Sequence, residues 1–328
     1  MGLIDSALYA LRFKETIFYK EDSELHLKHG ALCKLNNEYP NNKDLQSELN
    51  IVKKGLEGEN EIAYQLRKAN IGMYVLRDIN VKYKDLTAQI DYVIITPVFT
   101  YYVECKNLTG NITVTDKGDF IRETIVNGKK IKTGMYSPLR QVEAQREVIR
   151  KIWEDNSSIT KKIFASKNFD YYRRVLVVAT NKDTILNTNR APKDIKYKIL
   201  RADSLVRQIE YDINHRNNDD YVDSKRDMER IAQSYIDLSV KKDINYYEFY
   251  KKKYFDTKNK GLRDKLIEFR KERSSKMNMP AYYVFNDEEL DKLIELKPKT
   301  LEELKPILTE IKIKTHGEQI LEVLNINN

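Results

Sequence analysis

Residues 88–110 read AQIDYVIITPVFTYYVECKNLTG, two runs of β-branched and aromatic residues hinged at Thr96-Pro97, and each run carries charge. That composition predicts a hairpin of two strands. Successive strand side chains alternate faces, so Glu104 and Lys106 project together while Cys105 points the other way. Twelve residues intervene between Asp91 and Glu104, with the turn at Pro97 among them, and folding the hairpin brings Asp91 level with Glu104 on the neighbouring strand. Two carboxylates at a sheet rim repel each other and lose hydration, an arrangement that a cation neutralises. Hard oxygen donors without Cys or His favour Mg²⁺, with Mn²⁺ able to substitute. A carboxylate-held Mg²⁺ suits phosphoryl chemistry, with Lys106 orienting or deprotonating the attacking water. The same three side chains also read as a solvated ion cluster on a half-exposed sheet face, each pair worth from nothing to about 1 kcal/mol. The spacing D-x12-E-x-K is short and leaves both readings open.

Upstream, GLEGENEIAYQLRKAN places Ile62, Leu66 and Ala69 at helical spacing. Gly55 and Gly58 flank the expected helix start, and Glu57, Glu59 and Glu61 fall in its first turns, where acidic residues suit the helix dipole. Exposed N–H groups at such a start would favour phosphate, so Gly55 and Gly58 are candidate nucleic-acid contacts, or simply cap glycines. Strand-like runs follow at 73–79, 89–96, 99–106, 111–115 and 119–126, the last before Asn127-Gly128, a hairpin signal. Ser137-Pro138 opens a second helix carrying Gln141, and RRVLVVAT at 173–180 reads as a buried strand. A helix is expected at about 203–213, and HRNNDD at 215–220 breaks the chain before a helix-rich half. The expected class is α/β (α+β), a mixed sheet flanked by helices, followed by an all-α C-terminal bundle.

At 328 residues the chain is long enough for more than one packed unit. Lys and Arg number 58 against 50 Asp and Glu, a net charge of +8 that fits a polyanionic partner without demanding one. Only two cysteines occur, Cys33 and Cys105, which excludes a disulfide framework and a zinc-type Cys/His array. No run approaches a membrane span, and the start lacks the basic region and cleavage site of a secretory signal, so a cytoplasmic protein without membrane contact is expected. Met1-Gly2 with Ser6 matches a myristoylation pattern of little specificity. The abundance of Lys, Asn, Ile and Tyr, residues of A/T-rich codons, points to a low-GC bacterial source.

Four segments in order, GLEGE (55–59), AQID (88–91), ECKNLTGNI (104–112) and SPLRQ (137–141), resemble the nuclease-related domain, NERD, of the PD-(D/E)xK nuclease superfamily. The resemblance covers roughly residues 53–210 and implies a restriction-endonuclease-like fold and a Mg²⁺-dependent phosphodiesterase, a deoxyribonuclease of the endonuclease kind. It assigns Glu59 as the helix-borne acid, Asp91 and Glu104 as metal ligands with Glu59 in support, Lys106 as the catalytic lysine and Gln141 as the later glutamine near the site. Members often carry His four residues after that glutamine, where this chain has Gln145. A non-catalytic nucleic-acid-binding or adaptor protein, and a nuclease acting on RNA or branched DNA, are the alternatives.

MPAYYVFNDEELDKLIELKPKTLEELKP, residues 279–306, resembles the helicase-and-RNase-D C-terminal domain, HRDC, with Leu262, Arg270, Pro280-Ala281-Tyr282, Val284-Phe285, Asp287, Leu290, Pro298, Thr300, Leu304 and Gly317 in its pattern. That likeness implies an auxiliary module for DNA, or for a helicase or other DNA-processing partner; a homodimer is also compatible. The usual glycine-bearing turn near its end is replaced by LTEIKIKTHG. Lys297 and Lys299 are candidate phosphate contacts, or members of a solvated face. KKDINYYEFYKKKYF at 241–255 reads either as a single-strand platform or as an amphipathic helix packing its rings. The expected domains are a helical appendage (1–50), the nuclease-like domain (51–214), a helical linker (215–260) and the HRDC-like domain (261–328).

Overall fold

The computed structural model describes residues 13–126, 128–156, 168–255, 257–277 and 279–325. The Met1-Gly2-Ser6 pattern and Asn127 lie outside the described residues. The chain divides into two compact units, Met1–His29 with Leu49–Asp243, and Gly30–Glu48 with Ile244–Asn328.

The first unit is built on a six-stranded mixed sheet and a smaller four-stranded one. In chain order the elements are β1 (Thr16–Lys20), α1 (Glu24–Glu38, in this unit as far as His29), α2 (Lys43–Arg67, in this unit from Leu49), β2 (Met73–Tyr83), β3 (Leu86–Ile95), β4 (Thr100–Lys106), β5 (Asn111–Val114), β6 (Phe120–Val126) and β7 (Lys129–Met135). Then come α3 (Pro138–Asn156), β8 (Arg173–Ala179), β9 (Leu186–Asn187), α4 (Lys193–Lys196), β10 (Ile199–Arg201), α5 (Leu205–Asn214) and α6 (Lys225–Leu238). The larger sheet runs β1-β2-β3-β4-β8-β10 and the smaller β7-β6-β5-β9. β2, β3 and β4 form an antiparallel meander, whereas β1, β8 and β10 join in parallel, which makes the sheet mixed as the sequence predicts.

Both faces of the larger sheet are covered, so β4 reads as a nearly continuous apolar run. On one face α3 contributes Leu139, Val142 and Ile149, and α6 contributes Met228, Ala232 and Tyr235, packed with Tyr74, Leu76 and Tyr102. On the other, Ile62 and Leu66 of α2 and Leu205 and Ile209 of α5 pack on Val75, Tyr92, Ile94 and Val103. Ser137 caps α3, its Oγ accepting from the Arg140 N–H, and Pro138 occupies the first helical turn where no N–H is needed.

Two sequence-based divisions are drawn differently by the structure. The segment 1–50, expected as a helical appendage, supplies β1, which pairs in parallel with β2. Five residues (TIFYK) at a sheet edge are too short to show a period-2 pattern against their flanks. The expected linker 215–260 contains α6, whose capping box at Ser224 and Asp227 starts a helix that belongs to the first unit's core. The Tyr235 and Tyr102 hydroxyls lie 2.6 Å apart.

In the second unit α7 (Tyr246–Phe255) precedes α8 (Thr257–Lys276), α9 (Asp287–Leu296), α10 (Leu301–Leu304) and α11 (Glu310–Asn325), and these last four enclose a separate core of Leu262, Leu266, Phe285, Leu290, Leu293, Leu304 and Ile320. Asn286 caps α9 in a capping box with Glu289, and Thr300 caps α10. Gly317 sits inside α11, where an added Cβ would come 2.8 Å from Leu301 Cδ2, so this glycine serves close helix packing. The Tyr- and Lys-rich segment is α7, with Tyr246 and Tyr250 buried. Lys253 there is ion-paired to Glu48 (3.4 Å) and Asp291 (3.2 Å).

Candidate active site

The hairpin expected at 88–110 forms with the register Tyr92↔Val103, which carries Asp91 level with Glu104. The Asp91 carboxylate accepts from the Cys105 N–H at 2.7 Å. Glu104 is 3 % exposed, and its Oε1 meets Lys106 Nζ at 2.6 Å on the shared face. Cys105 turns away toward Thr180 Oγ1, 3.8 Å distant, and burial pushes its thiol up. Burial, and then the neighbouring Glu104 charge, push the Asp91 carboxyl well above the ordinary range.

α3 lays a second row of groups over this pair. Lys106 Nζ donates to Gln141 Oε1 at 3.2 Å. One turn further, Gln145 Nε2 donates to Glu104 Oε2 at 3.2 Å, while Gln145 Oε1 is buried and has no hydrogen-bond partner among the described residues. A buried acceptor left unsatisfied costs about 1–3 kcal/mol, so it marks a place where a group belongs. Asp91, Gln141 and Gln145 share a cleft of about 770 Å³ with Glu59 and Tyr136, and Lys28 of α1 and Lys151 of α3 line it too.

Glu59 reaches the same cleft but is spent otherwise. Its Oε2 accepts from Arg77 Nε at 2.6 Å in a nearly dry pair, and burial raises its carboxyl. Arg77 also donates to Asn60 Oδ1, at 2.9 Å. Among the described residues no three His, Cys, Asp or Glu side chains gather as a metal-holding group. The expected set of Asp91, Glu104 and Glu59 is therefore brought together as a pair, with Glu59 held on Arg77.

The expectation for Gly55 and Gly58 is corrected. α2 begins at Lys43 and runs through both, so no helix N-terminus lies there to receive a phosphate. The strong helix formers around them outweigh two glycines at about 1 kcal/mol each. Gly58 has a packing role: a Cβ there would fall 2.7 Å from Asn107 Cβ and 2.7 Å from Thr180 Oγ1, at the end of the active strand. Asn107 Nδ2 in turn donates to the Lys54 carbonyl, at 2.6 Å, tying α2 to that strand end. Lys297 and Lys299 are exposed in the second unit, where Lys297 ends α9 in the left-handed conformation at φ 46°.

Sequence reasoning missed the clamp behind Asp91. The β2–β3 ladder steps from Arg77↔Tyr92 to Ile79↔Ile90, and Asp78, at that interruption, takes φ 53°. Such a conformation in a strand persists only where surroundings enforce it. The Asp78 carboxylate accepts from the Glu24 N–H, Asn80 Nδ2 and Gln89 Nε2 at 2.6–2.9 Å. Lys20 Nζ, from β1, donates to the carbonyls of Arg77 and Asp78, at 2.6 and 2.9 Å. The available signal was the pair Arg77-Asp78 interrupting the apolar run MYVLRDINV.

The donor set fits a hard divalent cation: two adjacent carboxylates, of which Asp91 is in no ion pair among the described residues, beside an amide oxygen without a hydrogen-bond partner among them. Compared with known families, residues 54–179 match the model of NERD, the nuclease-related domain, and residues 259–324 match that of the HRDC domain. No curated protein and no solved structure matches the chain significantly. The first match ends at the last residue of β8 and contains Glu59, Asp91, Glu104, Lys106 and Gln141, whereas Lys20 and α6 lie outside it. The chain carries a nuclease-related domain at 54–179 and an HRDC domain at 259–324.

Proposed function

We propose that the protein is a metal-dependent nuclease that hydrolyses phosphodiester bonds in DNA. The observation that carries this reading is the Asp91–Glu104 pair facing Lys106 beneath Gln141 and Gln145. Asp91 and Glu104 would hold Mg²⁺, or Mn²⁺ in its place, with Gln145 Oε1 as a further oxygen donor. Bound there, the ion would supply Lewis-acid polarisation of the phosphodiester and a lowered pKa for its water. Lys106 Nζ, fixed between Glu104 Oε1 and Gln141 Oε1, keeps a third N–H to orient the attacking water or a phosphate oxygen. Arg77 keeps Glu59 in place at the cleft wall, a supporting and not a ligating role. The HRDC domain is read as the auxiliary nucleic-acid-binding module, through which a DNA-processing partner could also engage.

A second reading, a nucleic-acid-binding protein without catalysis, draws support from one fact: Glu104 and Glu59 already have the cationic partners Lys106 and Arg77. The test incubates wild type and Asp91→Ala with Mg²⁺, Mn²⁺ or EDTA on supercoiled plasmid, linear duplex, single-stranded DNA and RNA. Cleavage confined to wild type with metal is expected. Equal nicking by both proteins, or salt-sensitive binding by both without cleavage, overturns the nuclease reading.

A further inference from the structure

The β6–β7 ribbon is an arm unlike the rest of the first unit. At its base Phe120 is buried and Met135 packs on the core, yet every residue from Lys129 to Gly134 is exposed. Ile125, paired to Lys130, is 72 % exposed, and Ile131, paired to Thr124 on the opposite face, is 42 % exposed. Both faces of the outer ribbon are thus open to solvent. Between Phe120 and Met135 stand four basic side chains, Arg122, Lys129, Lys130 and Lys132, and one acidic, Glu123, a net of +3.

We infer that this ribbon is a substrate arm that enters the major groove of duplex DNA, an inference that rests on the nuclease reading and names its substrate as double-stranded. Two strands of seven residues make a ribbon about 23 Å long at about 3.3 Å per residue. A two-stranded ribbon fits a major groove roughly 12 Å wide. Lys130 and Lys132 each lie 3.6 Å from Glu123 in exposed pairs, which are weak enough to be exchanged for phosphates. Edge protection explains lysines on β7 but not isoleucines exposed on both faces. Apolar contact with thymine methyl groups does. A single-stranded ligand is disfavoured because such platforms stack bases on aromatic rings, and residues 121–134 contain none. The arm is continuous with the site: the residue after β7, Tyr136, is 63 % exposed and lines the cleft beside Asp91 and Gln141.

The test measures binding of the full-length protein, in EDTA, to a labelled 30-base-pair duplex and to its single strand, across a salt series. The variants are the triple Lys129→Ala/Lys130→Ala/Lys132→Ala and the single Lys130→Glu, with far-UV circular dichroism reporting the fold. The triple variant is expected to lose at least about tenfold in duplex affinity and to flatten the log–log salt slope by about 2–3, at about 0.9 per lost phosphate contact. Single-strand binding is expected to stay within twofold. Lys130→Glu, which keeps the ribbon length and hairpin, is expected to lose duplex affinity in the same sense. Unchanged duplex binding, or equal losses on duplex and single strand, overturns the arm even if the wild type cleaves DNA. Conversely, selective loss of duplex binding by the variants of a protein that never cleaves keeps the arm and removes the nuclease.

Discussion

Each unit buries a cluster of charges, and the two are finished differently. In the second, Lys253 and Arg263 face Glu48 and Asp291, and the Tyr254 hydroxyl donates to Glu48 at 2.8 Å, so two cations meet two anions with hydrogen bonds to spare. In the first, three carboxylates, Glu59, Asp91 and Glu104, meet two cations, Arg77 and Lys106, and a buried amide oxygen of Gln145 has no hydrogen-bond partner among the described residues. A closed network holds a fold together, whereas an open one with surplus negative charge costs stability and is tolerated where a ligand completes it.

The largest effects should come from opening the closed network and closing the open one. Asp91→Asn removes a charge pressed against Glu104; it is expected to raise the melting temperature while cutting metal-dependent cleavage by at least about 10³-fold, the several kcal/mol of transition-state stabilisation lost with a metal ligand. Asp291→Ala is expected to do the reverse. It strands Arg263 and leaves Lys253 with Glu48 alone, destabilises the second unit by about 3 kcal/mol in denaturant unfolding, and leaves single-turnover cleavage by the folded protein unchanged. If both variants destabilise alike, the contrast between the networks fails. Gln145→Leu tests the intermediate case. Losing the donor to Glu104 and the orphaned oxygen together is expected to weaken Mg²⁺ binding, read as the Mg²⁺-dependent shift in melting temperature, and to slow cleavage about 10–100-fold. An undiminished Mg²⁺ shift in the Gln145→Leu variant would show that the amide only packs.

The contrast also explains what was legible in the sequence. Asp91, Glu104 and Lys106 lie on two adjacent strands, and period-2 alternation plus a Pro-bearing turn was enough to place them together. Gln141 was assigned by the resemblance to the nuclease-related domain, and Ser137-Pro138 supplied only the start of the helix that carries it. Gly55 and Gly58 were misread because helix breaking is a local signal, while their packing on Asn107, Thr180 and Leu25 is a long-range fact. The clamp of Lys20 and Asp78 was missed for the same reason, the break at Arg77-Asp78 being its one local trace. It joins residues 58 apart across a parallel pair whose edge strand is only five residues long.

A raised carboxyl does not by itself mark such an open site, and Asp223 makes the smallest and sharpest test. It lies in the first unit before α6, its N–H donating to the Pro97 carbonyl at 2.7 Å. Burial, and then Asp227, push its carboxyl up to about 6, with Arg173 and Arg230 opposing. Because the folded value lies above the unfolded one of about 3.9, the folded state favours the protonated form. Its contribution to stability is complete below about pH 4 and is lost as the pH rises through 6. Asp223→Asn, which mimics the protonated carboxyl, should therefore match wild type in melting temperature near pH 4 and exceed it at pH 7. Cleavage should be unaffected at either pH, since Asp223 is not among the cleft-lining residues. A variant that gains nothing between pH 4 and 7 would mean that the arginines already neutralise this acid. The surplus negative charge beside Gln145 would then be the stronger sign of function in the comparison.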